Sequence, residues 1–454
     1  MSENKMGTMN IKRLLITMSL PMMASMLVQA LYNIVDSMFV ARVCENAVTA
    51  VTLVFPMQNL MISLAMGTAV GVNAILSKAL GQQKKDVADS AANTGLLLNI
   101  INFMIFVVIG LLFSRKFIAS QTSDPEIIGY GIDYMKVISV LSLGCFFQVM
   151  LERLLQSTGK THLSMISQMT GAIVNIILDP IMIFGLFGFP RLEVAGAALA
   201  TCAGQVCAAL VGLFLNLKFN KEITISLSRM IKPKAEMVLR IYFVGIPATV
   251  MMAIGSVMTY FMNKITGQFS STAQAVFGIY FKLQSFFFMP VFGLNNGLIP
   301  VLAYNYGLGD KKRIYQALKF SVVVATVIMI TGTLLFELIP SVFLGLFNPS
   351  EELLKLGIPA LRIIGLHYPM AAIAIIMGSV FQAFSRSYFS MFVSLGRQLV
   401  ILIPVASLLA LTGSVTNVWW SFPIAEAASL IMTLIFFLVV KVTVIDKLNK
   451  GERT

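Results

Sequence analysis

Charge is what this chain has least of. Only 12% of its 454 residues are Asp, Glu, Lys or Arg, 57% are hydrophobic, and the mean hydropathy is +0.86. Soluble domains carry about a quarter charged residues, so a soluble globular fold is excluded. Alternation is missing too: the apolar runs do not break into the ~10-residue alternating segments of a membrane barrel. Cysteine is scarce. Cys44, Cys145, Cys202 and Cys207 lie apart with no CxxC pair, so neither a disulfide framework nor a cysteine metal site is implied. The two histidines, His162 and His367, show no ligand spacing and read as incidental. No Walker motif is present, which argues against direct ATP drive. No nucleophile or metal motif supports an enzyme, and no cofactor is expected.

What the chain does have is apolar length. A membrane-spanning helix needs ~20 mostly apolar residues. About twelve such stretches follow one another here, roughly 13–40, 47–76, 87–113, 128–155, 162–187, 193–217, 236–263, 272–304, 314–338, 353–380, 387–411 and 414–440. The expected fold is therefore an all-α polytopic membrane protein with twelve transmembrane helices. Its first apolar run, Ile11 to Val40, is too long for a cleaved signal peptide.

The net charge of +13 could suggest nucleic acid, but its distribution favours a bilayer. The N-terminus, the even-numbered loops and the C-terminal tail hold most of the basic residues, among them Lys12, Arg13, Lys84, Lys85, Lys218, Lys311, Lys312 and Arg313. The odd-numbered loops hold Arg42, Arg115, Lys116, Arg191, Lys264 and Lys355. Cytoplasmic loops carry the excess of Lys and Arg, so both termini are expected in the cytoplasm and no nucleic-acid partner is expected. A bacterial cytoplasmic (inner) membrane location and a monomer complete that expectation.

The chain also repeats itself. Pro21 recurs as Pro247, an offset of 226 residues, and at the same offset Gly71 recurs as Gly297, Gly81 as Gly307, Gln156 as Gln382 and Ser164 as Ser390. Lys136 is matched by Arg362, both suited to reaching toward headgroups. A duplicated hydrophobic chain suggests two homologous six-helix bundles with a site between or within them. The expected division is residues 1–217, a basic linker 218–235 containing Pro233, and residues 236–454.

The repeat breaks at its acids: Asp36 and Asp179 are matched by Met262 and Val405. An acid in the bilayer core costs ~2.5–3.5 kcal/mol on insertion scales and needs a reason. Gln29, Tyr32, Asn33 and Asp36 fall at helical spacings and form one polar stripe. Asn175 and Asp179, four apart, share a face, and Pro180 follows. If these helices are neighbours, two carboxylates meet with amides and a phenol. Such a pair could exchange protons near physiological pH, because burial and a like charge both disfavour ionisation. It could equally hold Na⁺ through its oxygens, or the acids could be packing anchors near a helix end. Glu152 reads as either a surface pair with Arg153 or a functional group, Glu426 as lining a cavity in the second half, and Arg397 as facing an interhelical polar network. Internal prolines, Pro21 and Pro180 first among them, could serve as hinges, since a proline frees a carbonyl and permits a kink. Most of the 29 Met and 33 Phe read as lipid-facing filler; the rest could line a cavity for bulky apolar ligands. Gly307-Leu-Gly309-Asp310 matches the GxGD pattern of an intramembrane aspartyl protease, but a turn after a helix accounts for it better.

Ser19-Leu-Pro21, Leu31-Tyr-Asn-Ile-Val-Asp36, Asn175-Ile-Ile-Leu-Asp-Pro180 and Pro300-Val-Leu-Ala-Tyr-Asn-Tyr-Gly307, in that order, resemble the multidrug and toxic compound extrusion (MATE) family over nearly the whole chain. The resemblance implies two six-helix lobes in a V shape. It also implies export of bulky, amphipathic or cationic compounds in exchange for H⁺ or Na⁺. In the branch with an acidic first-lobe site, the ion-binding positions match Asp36, Asn175, Asp179 and Thr201, and Gln29, Tyr32, Asn33, Glu152 and Glu426 are then candidate cavity residues. In another branch a Glu stands eight residues after the seventh-helix proline; here that position is Gly255, which places the chain with the DinF-like branch. The rival is a lipid-linked-sugar flippase of the same superfamily. Such chains tend to carry extra helices and a cationic cavity, whereas the acids here favour cationic cargo.

Overall fold

The structure, a computed structural model, describes residues 4–347 and 349–448, without the side chains of Asn33, Ile34, Ser37, Ala41, Glu45 and Val48. Among the described residues every long element is an α-helix and none is a strand. Backbone polar groups in lipid must be satisfied within the segment, and a helix does this alone. Among the described residues ten helices are long and apolar enough to cross a membrane, and up to twelve if each of two bent pairs is one span.

Helix starts follow the local sequence. Asp124 accepts hydrogen bonds from the amides of Glu126 (2.9 Å) and Ile127 (3.3 Å), with Pro125 in the first turn. Ser270 and Ser350 cap the helices Ser271–Leu308 and Glu351–Gly365 in the same way. These side-chain acceptors satisfy amides that a helix N-terminus leaves free. The GxGD stretch is a turn: Gly309 closes one helix at φ 77°, and Asp310 accepts from the Arg313 amide at 3.1 Å to open the next.

Two stretches that read as single spans are broken. Pro125–Val140 and Leu143–Ser157 meet at 46°, and Glu351–Gly365 and Tyr368–Ala383 at 44°. The breaks fall at Leu141–Ser142 and at Leu366–His367, so they agree with the 226-residue repeat to within a residue. A third span, Ser387–Ala410, contains a π-helical segment, Gly396–Leu402.

Packing separates the chain into two compact units: Met1–Asn4 with Ala24–Thr249, and Lys5–Met23 with Val250–Thr454. The divisions fall inside the helices Ile11–Ala41 and Ala235–Gly267, two residues after Pro21 and two after Pro247. They therefore obey the repeat and do not coincide with residues 217 and 236. Glycines explain the exchange of helix halves. In the first unit the Glu45–Gly81 helix meets the start of Ala235–Gly267 so closely that a Cβ on Gly67 would lie 2.6 Å from the Gly245 carbonyl oxygen. In the second, a Cβ on Gly293 would lie 2.5 Å from Met23 Cα, and one on Gly297 2.8 Å from Ser19 Cα. Small residues let helix backbones approach where lipid supplies no hydrophobic drive.

The 218–235 segment is not free chain. Asp89 accepts from the Thr224 amide (2.7 Å) and pairs with Arg229 (2.8 Å). Asn93 donates to the Thr224 carbonyl and accepts from the Ser226 amide, both at 2.8 Å, and Lys160 pairs with Glu222. These contacts fasten the segment to the first unit.

Candidate functional site

The first unit assembles its site where the Thr161–Phe184 and Glu193–Phe219 helices cross at two glycines. A Cβ on Gly204 would lie 2.6 Å from the Gly171 carbonyl oxygen, so neither position tolerates a side chain without movement. This close approach brings Thr201 to Asn175. The Asn175 amide donates to Thr201 Oγ1 and to Asp179 Oδ1, both at 3.3 Å. Asn175 and Asp179 are buried, 3% and 0% exposed. Pro180 sits in this helix and Pro21 in the first. Each lacks an N–H, so the carbonyls of Ile176 and Thr17 lose their i+4 donors.

Asp36, on Ile11–Ala41, lies within electrostatic range of Asp179, of Tyr32 and of Tyr134. Three acceptor oxygens in this group are buried with no hydrogen-bond donor among the described residues: Asp36 Oδ1, Asn175 Oδ1 and Asp179 Oδ2. Buried polar atoms are paired in most proteins, so three orphan acceptors within one group mark a place for a donor or a cation. Oxygen-only donor sets suit hard cations. Among the described residues no set of three His, Cys, Asp or Glu side chains suits a metal ion.

The polar stripe of the first helix continues the site. Gln29 accepts from the Gln168 amide at 3.1 Å, and Tyr32 lies near Gln29, Asp36, Cys145 and Glu152. The Asn33 side chain lies outside the described residues. Glu152 is buried, 7% exposed, as is Arg153 at 4%, so a surface pair is ruled out. Gln148 donates to Glu152 at 3.0 Å.

Glu426 belongs to the second unit and has a different company. Arg397 donates to its Oε2 at 2.9 Å, and His367 Nδ1 lies 3.7 Å from the same oxygen. The polar network expected at Arg397 is thus a pair with Glu426. His367, which reads as incidental in sequence, is 5% exposed and 3.1 Å from the Tyr280 hydroxyl. Sequence does carry a signal for the break at which it stands, since Gly365 precedes it and Pro369 opens the next helix, but none for its partners. Asp89 and Asn93 carry a sequence signal as well, an i,i+4 polar pair at the start of an apolar helix.

Comparison with known proteins agrees with this architecture. The MatE family model matches residues 21–181 and 247–408, two copies at the same 226-residue offset. The Staphylococcus aureus protein "Multidrug export protein MepA" is 26% identical over 429 residues, covering 94% of each chain. Its namesake from Staphylococcus haemolyticus is 27% identical over 439 residues, covering 96% of this chain and 95% of that one. A solved structure described as an outward-facing conformation of a multidrug resistance MATE family transporter superposes with a TM-score of 0.92 at 23% identity, over 98% of this chain and 99% of the other. Two family copies in tandem, over a helical fold shared with solved transporters, place the chain in the MatE family of membrane transporters.

Proposed function

We propose that this chain is a secondary active antiporter that exports bulky, amphipathic or cationic compounds in exchange for H⁺ or Na⁺. The observation that carries the reading is the trio of donorless buried oxygens on Asp36, Asn175 and Asp179. A proton or Na⁺ supplies what they lack, and Thr201 Oγ1 adds a further oxygen beside Asn175. Deprotonated, the two carboxylates repel each other and attract a cation. Protonated from outside, they lose that charge, release the cargo and let the helices repack, with Pro180 and Pro21 giving backbone freedom. Gln29, Tyr32, Asn33 and Glu152 are the cavity residues of the first half. Glu426 lines the cavity of the second.

The same reading makes residues 1–217 and 236–454 two homologous lobes, joined by 218–235, in a monomer of the bacterial cytoplasmic membrane with both termini cytoplasmic. The loop distribution of Lys and Arg supports that orientation. The drive is adequate in scale: one charge crossing ~100 mV is worth about 2.3 kcal/mol, roughly fiftyfold in an equilibrium. The test is efflux of a fluorescent organic cation from everted vesicles under separately imposed H⁺ and Na⁺ gradients. One gradient should drive accumulation and the other should not. Accumulation that follows neither gradient overturns the antiport reading.

A further inference from the structure

The second unit holds a buried polar cluster outside the proposed coupling site. Tyr280 donates its hydroxyl proton to Gln284 Oε1 at 2.7 Å and lies 3.1 Å from His367 Nε2. Its proton is committed, so its oxygen accepts from His367 Nε2–H. A neutral imidazole has one N–H, which leaves Nδ1 with a bare lone pair. Nδ1 is buried without a hydrogen-bond partner among the described residues and faces Glu426 Oε2 across 3.7 Å. Two acceptors thus confront each other with no donor between them. One proton on Nδ1 would supply the donor and give Glu426 a buried cation of its own.

Glu426 already has one cation. Arg397 donates to Oε2 at 2.9 Å, but its side chain is 29% exposed, against 6% for His367 and 4% for Glu426. It is the member of the trio free to leave. It also stands in the π-helical segment Gly396–Leu402, a rare local geometry that recurs at functional sites. If a proton enters while Arg397 withdraws, the buried cluster keeps one positive and one negative charge. That balance matters because a buried charge without a partner is strongly destabilising.

The surroundings suit a cationic imidazole. The Phe288, Tyr368 and Phe422 rings lie 6.0, 5.1 and 6.2 Å from the His367 ring, and Phe422 is stacked on it. Aromatic faces at this range attract cations. The titratable and charged groups facing His367 are Tyr280 from Ser271–Leu308, Tyr368 beside it, Arg397 from Ser387–Ala410 and Glu426 from Ser421–Thr443. His367 itself occupies the break before Tyr368–Ala383, and interrupted helices are where transporters place ion sites.

We propose that His367 is a proton-binding site of the second unit, and that a proton captured on Nδ1 exchanges for the Arg397 guanidinium at Glu426. The proton comes from water, and no other bond is made or broken covalently. Neither Asp36 nor Asp179 takes part in this exchange.

The experiment is nitrogen-15 NMR of histidine-labelled full-length protein, titrated from about pH 8 to 5, the window in which histidine switches charge. The chain has only two histidines, and H162Q assigns the exposed one. Wild type should show the Nε2–H tautomer of His367 in alkali and an imidazolium in acid. E426Q should lose the imidazolium across that window, while R397Q should keep it. An Nδ1–H tautomer in alkali, a neutral His367 throughout, or an unchanged titration in E426Q would overturn the proposal. Should E426Q fail to fold, the wild-type tautomer and R397Q decide, because loss of the imidazolium in R397Q contradicts the exchange. Neither cargo nor gradient enters the measurement, so its failure leaves the antiport reading standing.

Discussion

The two units answer the same structural problem with opposite chemistry. Each carries a buried polar cluster whose repeat counterparts in the other are apolar. Asp36, Asn175, Asp179 and Thr201 correspond to Met262, Ile401, Val405 and Ala427. Conversely, Tyr280, His367, Arg397 and Glu426 correspond to Val54, Leu141, Gly171 and Ala200. The first cluster has acceptors without donors. The second has its acid already bound by a guanidinium. An unfilled acceptor set is open to a coupling ion, whereas a self-compensated pair can take up a positive charge only by giving up its guanidinium. What the units share is backbone: matched helix breaks, matched glycine contacts and matched divisions after Pro21 and Pro247.

The largest expected effect breaks this asymmetry at its source. D36N keeps shape and removes the charge. At normal expression it should abolish gradient-driven accumulation, a loss of about fiftyfold at ~100 mV for one coupled charge. D179N should do the same, while E426Q retains ion dependence. Ion dependence lost in E426Q and kept in D179N would reverse the assignment of the two units.

A smaller effect tests what the units share. G67V and G293V each force a side chain into a helix contact of the same kind, with a Cβ meeting Gly245 oxygen at 2.6 Å or Met23 Cα at 2.5 Å. Overpacking of this sort costs roughly 1–3 kcal/mol. Thermal unfolding in detergent should show both variants destabilised alike. A large effect in one alone would mean that the matched contacts are not equivalent.

Much of the first cluster was legible because its members are local. Asn175 and Asp179 are one helical turn apart, Asp36 ends a stripe of its own, and both acids stand out against apolar sequence. The second cluster was not, because its bonds are long-range: Tyr280 and His367 are 87 residues apart, and Arg397 and Glu426 are 29. Nothing next to His367 or Glu426 in sequence names these partners. Helix number and repeat were readable from apolar length and spacing. The bend at Leu141-Ser142 was not, since neither residue is Pro or Gly and an apolar run of the right length reads as continuous; the bend at Leu366-His367 does have Gly365 before it and Pro369 in the first turn after it. The exchange of helix halves also escaped, because it depends on which backbones approach at Gly67 and Gly293, not on hydropathy. The 218–235 segment looked like a linker by charge and Pro233, while its tethers, Asp89 and Asn93, lie in another helix.

The smallest effect concerns that tether, which has no equivalent at the repeat position, where Asp89 becomes Tyr315. D89N keeps an oxygen for the Thr224 amide and loses the charge facing Arg229, whose side chain is 46% exposed. Partly exposed pairs are worth about 1 kcal/mol or less, so D89N should lower the melting temperature slightly and leave transport intact. D89A also strands the Thr224 amide and should cost more, ~1–3 kcal/mol. Equal melting temperatures for the two variants would show that the amide contact contributes nothing.

The central claim is that protonation of the Asp36–Asp179 pair controls cargo binding. It is tested most directly by the affinity of purified protein in detergent for a fluorescent organic cation, measured from acid to alkaline pH. Wild-type affinity should weaken in one step as pH falls, and the D36N/D179N double variant should show no step. A wild type with the same affinity at every pH would contradict protonation as the control and leave Na⁺ as the coupling ion.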